Sequence, residues 1–146
     1  MSESFWIEEG TLLAGRYPHE GTLPGLLAAG VTLFVDLTDN RNPTYERLLP
    51  DGVRRVSVPF ADFTAGTEEL VIRALDAIDG ELARGGIPYV HCVWGCGRTG
   101  TVICCRLVRH GRSPEDAMAL IRERSGRDCP ETGEQRAMIR AWISDQ

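Results

Sequence analysis

The sequence predicts an α/β domain: a central, mostly parallel sheet flanked by helices on both faces. Three observations lead there. Short apolar runs of strand length alternate with helical stretches through the first two-thirds of the chain. Helical stretches then follow one another at its end, and 146 residues suit one hydrophobic core better than two. No repeat, low-complexity tract or long linker divides the chain, so residues 1–146 are read as a single domain.

Taken in order, "TLLAG" (11–15) and "VTLFVDL" (31–37) are apolar, β-branched runs ended by turn residues, as buried strands are. Between them, "LPGLLAAG" reads as a short helix stopped by Gly30. "VRRVSVP" (53–59) is another strand, followed by the loop "PFADFTAG". Over 67–84, Leu70, Ala74, Ile78 and Leu82 recur every four residues with Val71, Leu75 and Ala77 beside them, and "RGG" closes this long helix. "IPYVHC" is the next strand, and 98–110 is apolar nearly all round, the pattern of a buried helix. Ser113, with Pro114 next and an acid at the third position, announces a further helix. Thr132 and Gln135 stand in the same relation before the last one.

With 42% hydrophobic and 25% charged residues the composition is that of a soluble globular chain. A net charge of −5 argues against general binding to nucleic acid or anionic membrane, which demand a dominant basic face. Any anion must therefore be met locally. All the basic residues other than histidine are arginine, which reads as base-composition bias. The opening "MSESFWIEEG" is acidic where a signal peptide is basic, and no apolar run approaches the roughly 18 residues of a membrane span, so a cytoplasmic location is expected. Five cysteines, an odd number without a CxxC pair, are expected to be free thiols, with Cys104, Cys105 and Cys129 acting as small buried hydrophobes.

The stretch "YVHCVWGCGRTG" (89–100) stands apart. A strand ending at Cys92, a loop and a helix starting near Arg98 aim backbone N–H groups and the positive end of the helix dipole into the loop. Gly95, Gly97 and Gly100 allow the close approach that such a nest needs. The bowl suits a tetrahedral anion, a cysteine on its floor is expected to serve as a thiolate, and the planar fork of Arg98 can meet two phosphate oxygens. The pattern points to a thiolate attacking phosphorus while the loop and the guanidinium hold the oxygens.

These residues resemble the signature of the cysteine-dependent protein tyrosine phosphatases, in particular the compact dual-specificity-like members: His-Cys, five residues, Arg, then Ser or Thr. His91, Cys92, Arg98 and Thr99 match it without a gap, with Val93, Trp94, Gly95, Cys96 and Gly97 as the phosphate loop between. "LLAGRYP", "FVDLTDN", "VPFADF" and "CPETGEQRAMIRAW" are similar to further segments of such domains. The resemblance implies Cys92 as nucleophile and Asp62, thirty residues before it, as general acid and then base. It implies that Thr99 assists the departing sulfur, that His91 helps hold the loop, and that Gln135 faces the active site. Asp36 and Asp39 are the competing acids, and Gln135 reads equally well as half of a capping box. Cys96 lines the pocket wall, or else serves as a resolving thiol for Cys92. Arg16, Arg41 and Tyr45 are read as solvated loop residues before substrate-framing ones.

The substrate implied is a phosphorylated protein, phosphotyrosine preferred, because the loop interior carries no charge before Arg98 and Phe63 could close over an aromatic ring. No cofactor, metal, nucleic acid or membrane partner is expected, and the chain is expected to act as a monomer. A rhodanese-like sulfurtransferase is the first rival, although its loop is typically shorter and needs no upstream acid. A phospho-binding pseudoenzyme is the second, although it would lack the nucleophile, the arginine or the acid.

Overall fold

The computed structural model describes residues 3–39, 45–61 and 64–142. Its strands are β1 (Ser4–Glu8), β2 (Leu12–Gly15), β3 (Leu33–Asp36), β4 (Arg54–Ser57) and β5 (Pro88–His91). Its helices are α1 (Leu23–Ala28), α2 (Glu68–Ala83), α3 (Gly97–Arg109), α4 (Pro114–Ser125) and α5 (Gly133–Trp142), with a 3-10 turn at Glu46–Leu48. The strands form one sheet in the order β1-β2-β5-β3-β4. β1 runs antiparallel to β2, and the other three pairings are parallel.

Side-chain alternation along the strands divides the core into two layers. Leu12, Ala14, Leu33, Val35 and Val90 point to one face, where they meet Val71, Leu75 and Ile78 of α2 and Val102 and Ile103 of α3. Their neighbours Leu13, Phe34 and Tyr89 point to the other, against Leu23 and Leu26 of α1 and Tyr45. β5 lies at the centre of the sheet and is buried throughout. The residues following it therefore emerge at the carboxyl edge of the parallel strands, where open α/β sheets place their ligands.

Ser113 caps its helix as read, accepting from the Asp116 N–H at 3.1 Å, and Thr67 accepts from the Leu70 N–H at 3.1 Å in the same way, each cap stabilising its helix by about 1 kcal/mol. α3 is buried from Gly97 to Val108, in keeping with its apolar circumference.

β1 is the element missing from the sequence reading. "SFWIE" alternates over too few residues, beside two acids and a glycine, to register as a strand on its own. Pairing with β2 is what makes it one, and it turns an otherwise parallel sheet mixed at that edge.

Candidate active site

β5 hands the chain to the loop at His91, and α3 takes it back at Gly97. Gly95 holds the bend with φ +74°, a conformation L side chains rarely adopt. A Cβ there would also stand 2.5 Å from the Gly15 carbonyl carbon, so the loop packs directly on the end of β2. The Tyr17 N–H donates to the Val93 carbonyl at 3.1 Å and ties the same two segments. On the opposite side, a Cβ at Gly97 would meet Glu131 Oε1 at 2.4 Å and Gln135 Nε2 at 2.9 Å. The loop is thus clamped between β2 and the start of α5.

Cys92 lies on the floor of the loop, 2% exposed. Its Sγ accepts from the Gly95 N–H at 3.3 Å and from the Thr99 hydroxyl at 3.1 Å. Two donors converge on one sulfur at the N-terminus of a 13-residue helix, the positive end of its dipole. Arg98 is buried, and its Nη1 donates to the Phe60 carbonyl at 3.1 Å, which holds the guanidinium at the loop.

His91 sits behind the loop, fully buried. Its Nε2 is 2.7 Å from the Tyr45 hydroxyl and its Nδ1 3.3 Å from the Cys92 carbonyl. A carbonyl only accepts, so Nδ1 carries the proton and Nε2 accepts from Tyr45. Burial pushes the His91 pKa down to about 4, against the opposing field of Asp36, and burial raises that of Tyr45. Both groups are therefore neutral near pH 7, and the pair is an uncharged brace for the loop. Tyr45 is 2% exposed, which corrects its reading as a solvated loop residue. Glu46–Leu48 and the aromatic layer of Phe34 and Tyr17 enclose it, long-range packing that a local reading does not register.

The acids separate. Asp36 is fully buried, accepts from the Thr38 hydroxyl at 2.6 Å and pairs with Arg55 at 3.0 Å. It is a structural anion behind the sheet edge, and Arg55 is the partner the sequence reading did not supply. Asp39 is exposed. Asp62, Phe63 and Arg41 lie outside the described residues. The chain on either side of Asp62 is tied down: Phe60 by Arg98, and Thr64 by Gln135, whose Nε2 donates to the Thr64 carbonyl at 3.1 Å.

Gln135 does form the capping box. Its Oε1 accepts from the N–H groups of Thr132 and Glu131, and its own N–H donates to Thr132 Oγ1. The same amide touches the loop glycine and the Thr64 carbonyl, so the cap residue joins α5 to both segments of the site.

The cysteines require a correction. Cys96 and Cys129 form a disulfide, S–S 2.13 Å, instead of two free thiols, and Cys129 is not simply a small hydrophobe. Cys96 is therefore spoken for by a residue other than Cys92. Thirty-three positions separate the partners, and only the packing of the α4–α5 connection against the loop brings them together. Cys92, Cys104 and Cys105 remain free; burial raises the Cys104 pKa to about 12 and pushes Cys105 up as well, so both are inert.

Two cations also gather at the mouth. The Arg16 guanidinium lies 5.6 Å over the Trp94 ring, and Arg127 donates to the Trp94 carbonyl. Arg127 carried no sequence signal, since it stands 35 residues after Cys92 in a polar turn. Among the described residues no cluster of His, Cys, Asp and Glu could hold a metal ion, and no helix is long and apolar enough to cross a membrane.

A buried cysteine below a glycine-bent anion nest, backed by an arginine at the head of a helix, defines a cysteine-dependent phosphatase domain. The chain belongs to the family described as "Swiss Army Knife protein, DSP-PTPase phosphatase domain", which matches residues 1–142. Among solved structures, Tk-PTP in its active form superposes with a TM-score of 0.82 at 26% identity over 97% of each chain. Among curated relatives, it is 29% identical over 119 residues to a phosphatidylglycerophosphate phosphatase, PTPMT1, of Arabidopsis thaliana, covering 76% of this chain. It is 32% identical over 128 residues to a putative tyrosine phosphatase of Invertebrate iridescent virus 3, covering 82% of this chain. The chain spans 34% and 51% of the lengths of those two relatives. The family is a phosphatase one, which sets the sulfurtransferase alternative aside.

Proposed function

We propose that this chain hydrolyses phosphotyrosine in proteins through a phosphocysteine on Cys92, with no metal or other cofactor. The observation that carries the reading is the Cys92 sulfur on the loop floor, holding donors from Gly95 and Thr99 at 3.3 and 3.1 Å. In the first step the sulfur forms a bond to phosphorus as the bond from phosphorus to the tyrosyl oxygen breaks. Asp62, at the family spacing, gives its proton to the departing phenolate. Loop N–H groups and the fork of Arg98 hold the three phosphoryl oxygens, on which charge spreads in the transition state. In the second step Asp62 takes a proton from water as its oxygen attacks phosphorus, and the sulfur leaves as a thiolate that accepts the Thr99 hydroxyl.

The rim supports an aromatic ester. Val93 is 41% exposed and Trp94 54% exposed, and the loop interior before Arg98 has no charged side chain. A phenyl ring gains by covering such apolar surface. A second reading, a phosphomonoester on a lipid headgroup, is supported by the likeness to relatives named phosphatidylglycerophosphate phosphatases. The test is a side-by-side kcat/KM comparison of a phosphotyrosine peptide, a phosphoserine peptide and a lipid phosphomonoester in vesicles. The phosphotyrosine peptide is expected to lead, and a lead by the lipid would replace this reading with the second.

A further inference from the structure

We propose that the cavity between β1, α3 and α4 binds a nucleoside diphosphate, or an organic diphosphate built like one, at a site separate from the phosphate loop. The inference does not depend on which phosphomonoester the enzyme hydrolyses.

The cavity has a volume of about 410 Å³, within the range of small-molecule sites. Part of its lining is apolar. Ile7 of β1 and Leu107 of α3 are buried there, and Leu120 of α4 is half-buried. The rest of the lining is basic: Arg106, His110, Arg112 and Arg124, against Glu8 as the one carboxylate.

The fold gathers these cations from three places. Arg106 belongs to the last turn of α3, and His110 stands at its C-cap. Gly111 then turns the chain with φ +104°, and the Arg112 N–H donates to the Leu107 carbonyl at 3.0 Å, which folds Arg112 back beside the helix end. Arg124 comes from the last turn of α4.

Charge pairing divides the four. Arg106 gives its Nη1 to Glu8 at 2.7 Å and its Nε to Asp79 at 3.0 Å, so the cavity's own carboxylate is already engaged. His110 Nε2 stands 3.7 Å from the same Asp79. Arg112 and Arg124 are exposed, and neither enters an ion pair among the described residues. Helix dipoles favour a cation near each C-terminus, but they do not require two unpaired ones to share a cavity. In a chain of net charge −5, two unpaired guanidiniums beside an apolar lining fit an anion that arrives from solution.

A diphosphate suits this arrangement because it offers one phosphoryl group to each planar fork, two oxygens at a time. The body of a nucleoside then covers Ile7, Leu107 and Leu120, a contact that inorganic phosphate does not make. The site stands apart from the catalytic one. α3 runs from Arg98 at the loop to Leu107 at the cavity, a rise of roughly 14 Å. An anionic lipid headgroup carries the same phosphate chemistry, but a bilayer also meets the acidic body of the chain, which favours the soluble source.

Calorimetric titration of metal-free ADP into Cys92→Ser, which has lost its nucleophile and leaves the probe intact, reads the site directly. ADP is expected to bind saturably, AMP about tenfold more weakly and adenosine not measurably. Arg112→Gln and Arg124→Gln are each expected to weaken ADP binding about tenfold or more, and Arg124→Lys, which keeps the charge without the fork, by less. Both positions are exposed, so these substitutions should leave Tm unchanged and, in the chain that keeps Cys92, kcat/KM for nitrophenyl phosphate as well. Arg98→Lys should weaken orthophosphate binding at the loop and spare ADP binding at the cavity. No ADP binding, or ADP binding that survives both glutamine substitutions and is lost with Arg98→Lys, would overturn the second site. Adenosine bound as tightly as ADP would overturn the diphosphate assignment. Phosphatidylglycerol vesicles that bind more tightly than ADP, with the same dependence on Arg112 and Arg124, would assign the pair to a headgroup and overturn the soluble ligand.

Discussion

The Thr99 hydroxyl donates to the Cys92 sulfur across 3.1 Å, from the first turn of the buried helix that follows the loop. That hydrogen bond is available when sulfur carries negative charge and has nothing comparable to gain from a sulfur bonded to phosphorus. Its main effect should fall on the step that expels the thiolate. Thr99→Ala is expected to lower kcat about 10-fold or more and to convert steady turnover of nitrophenyl phosphate into a burst followed by a slow phase. Stopped-flow absorbance reads both, and an unchanged kcat would remove Thr99 from the second step.

His91 predicts a pH dependence of stability. Burial drops its pKa from 6.5 in the open chain to about 4 in the fold. Between those values the unfolded chain takes up a proton that the folded one refuses. Stability is therefore fully present above pH 6.5 and is lost as the pH falls toward 4. Going from pH 7 to pH 5 should cost about 2 kcal/mol through this residue. Urea unfolding at the two pH values tests it: His91→Gln should lose distinctly less than wild type over that interval, and an equal loss would assign the effect to other groups.

If Asp62 supplies the leaving-group proton, Asp62→Asn should slow a phosphoserine or phenyl phosphate substrate by about 10²–10⁴-fold and a nitrophenyl phosphate much less. A series of aryl phosphates of graded leaving-group basicity reads this as a steeper slope in the variant. A uniform loss across the series would make Asp62 structural and bring exposed Asp39 forward.

The Cys96–Cys129 disulfide ties the phosphate loop to the α4–α5 connection across a separation of 33 residues. A bridge of this span stabilises by about 2–4 kcal/mol, so dithiothreitol should lower Tm by roughly 10 °C in wild type and leave Cys129→Ser unmoved. Thiol titration of the denatured, unreduced protein gives an independent count. Three reactive thiols, Cys92, Cys104 and Cys105, are expected, and five would contradict the bridge.

How much of this was legible in the sequence follows from the range of each interaction. Strand runs, helix faces and the caps at Ser113 and Thr132 are local, and both caps form as read. The Cys92–Arg98 loop was legible because one contiguous stretch holds the strand end, the bend and the helix start. Features made by distant segments were not. β1 exists through β2, Tyr45 is buried through His91 and Phe34, Asp36 is neutralised by Arg55, and Cys96 meets Cys129. Arg127 was silent for the same reason, since nothing in its own turn points to Trp94.

The central claim is that the Cys92 sulfur becomes covalently phosphorylated during turnover. Mixing the enzyme with an aryl phosphate, quenching in acid within milliseconds and measuring intact and peptide masses tests it most directly. One added phosphoryl group on the peptide containing Cys92 is predicted, more abundant in Thr99→Ala and absent in Cys92→Ser, which should still bind orthophosphate. Turnover by Cys92→Ser at a rate near wild type, or wild-type turnover with no covalent phosphate under conditions that trap it in Thr99→Ala, would contradict the account.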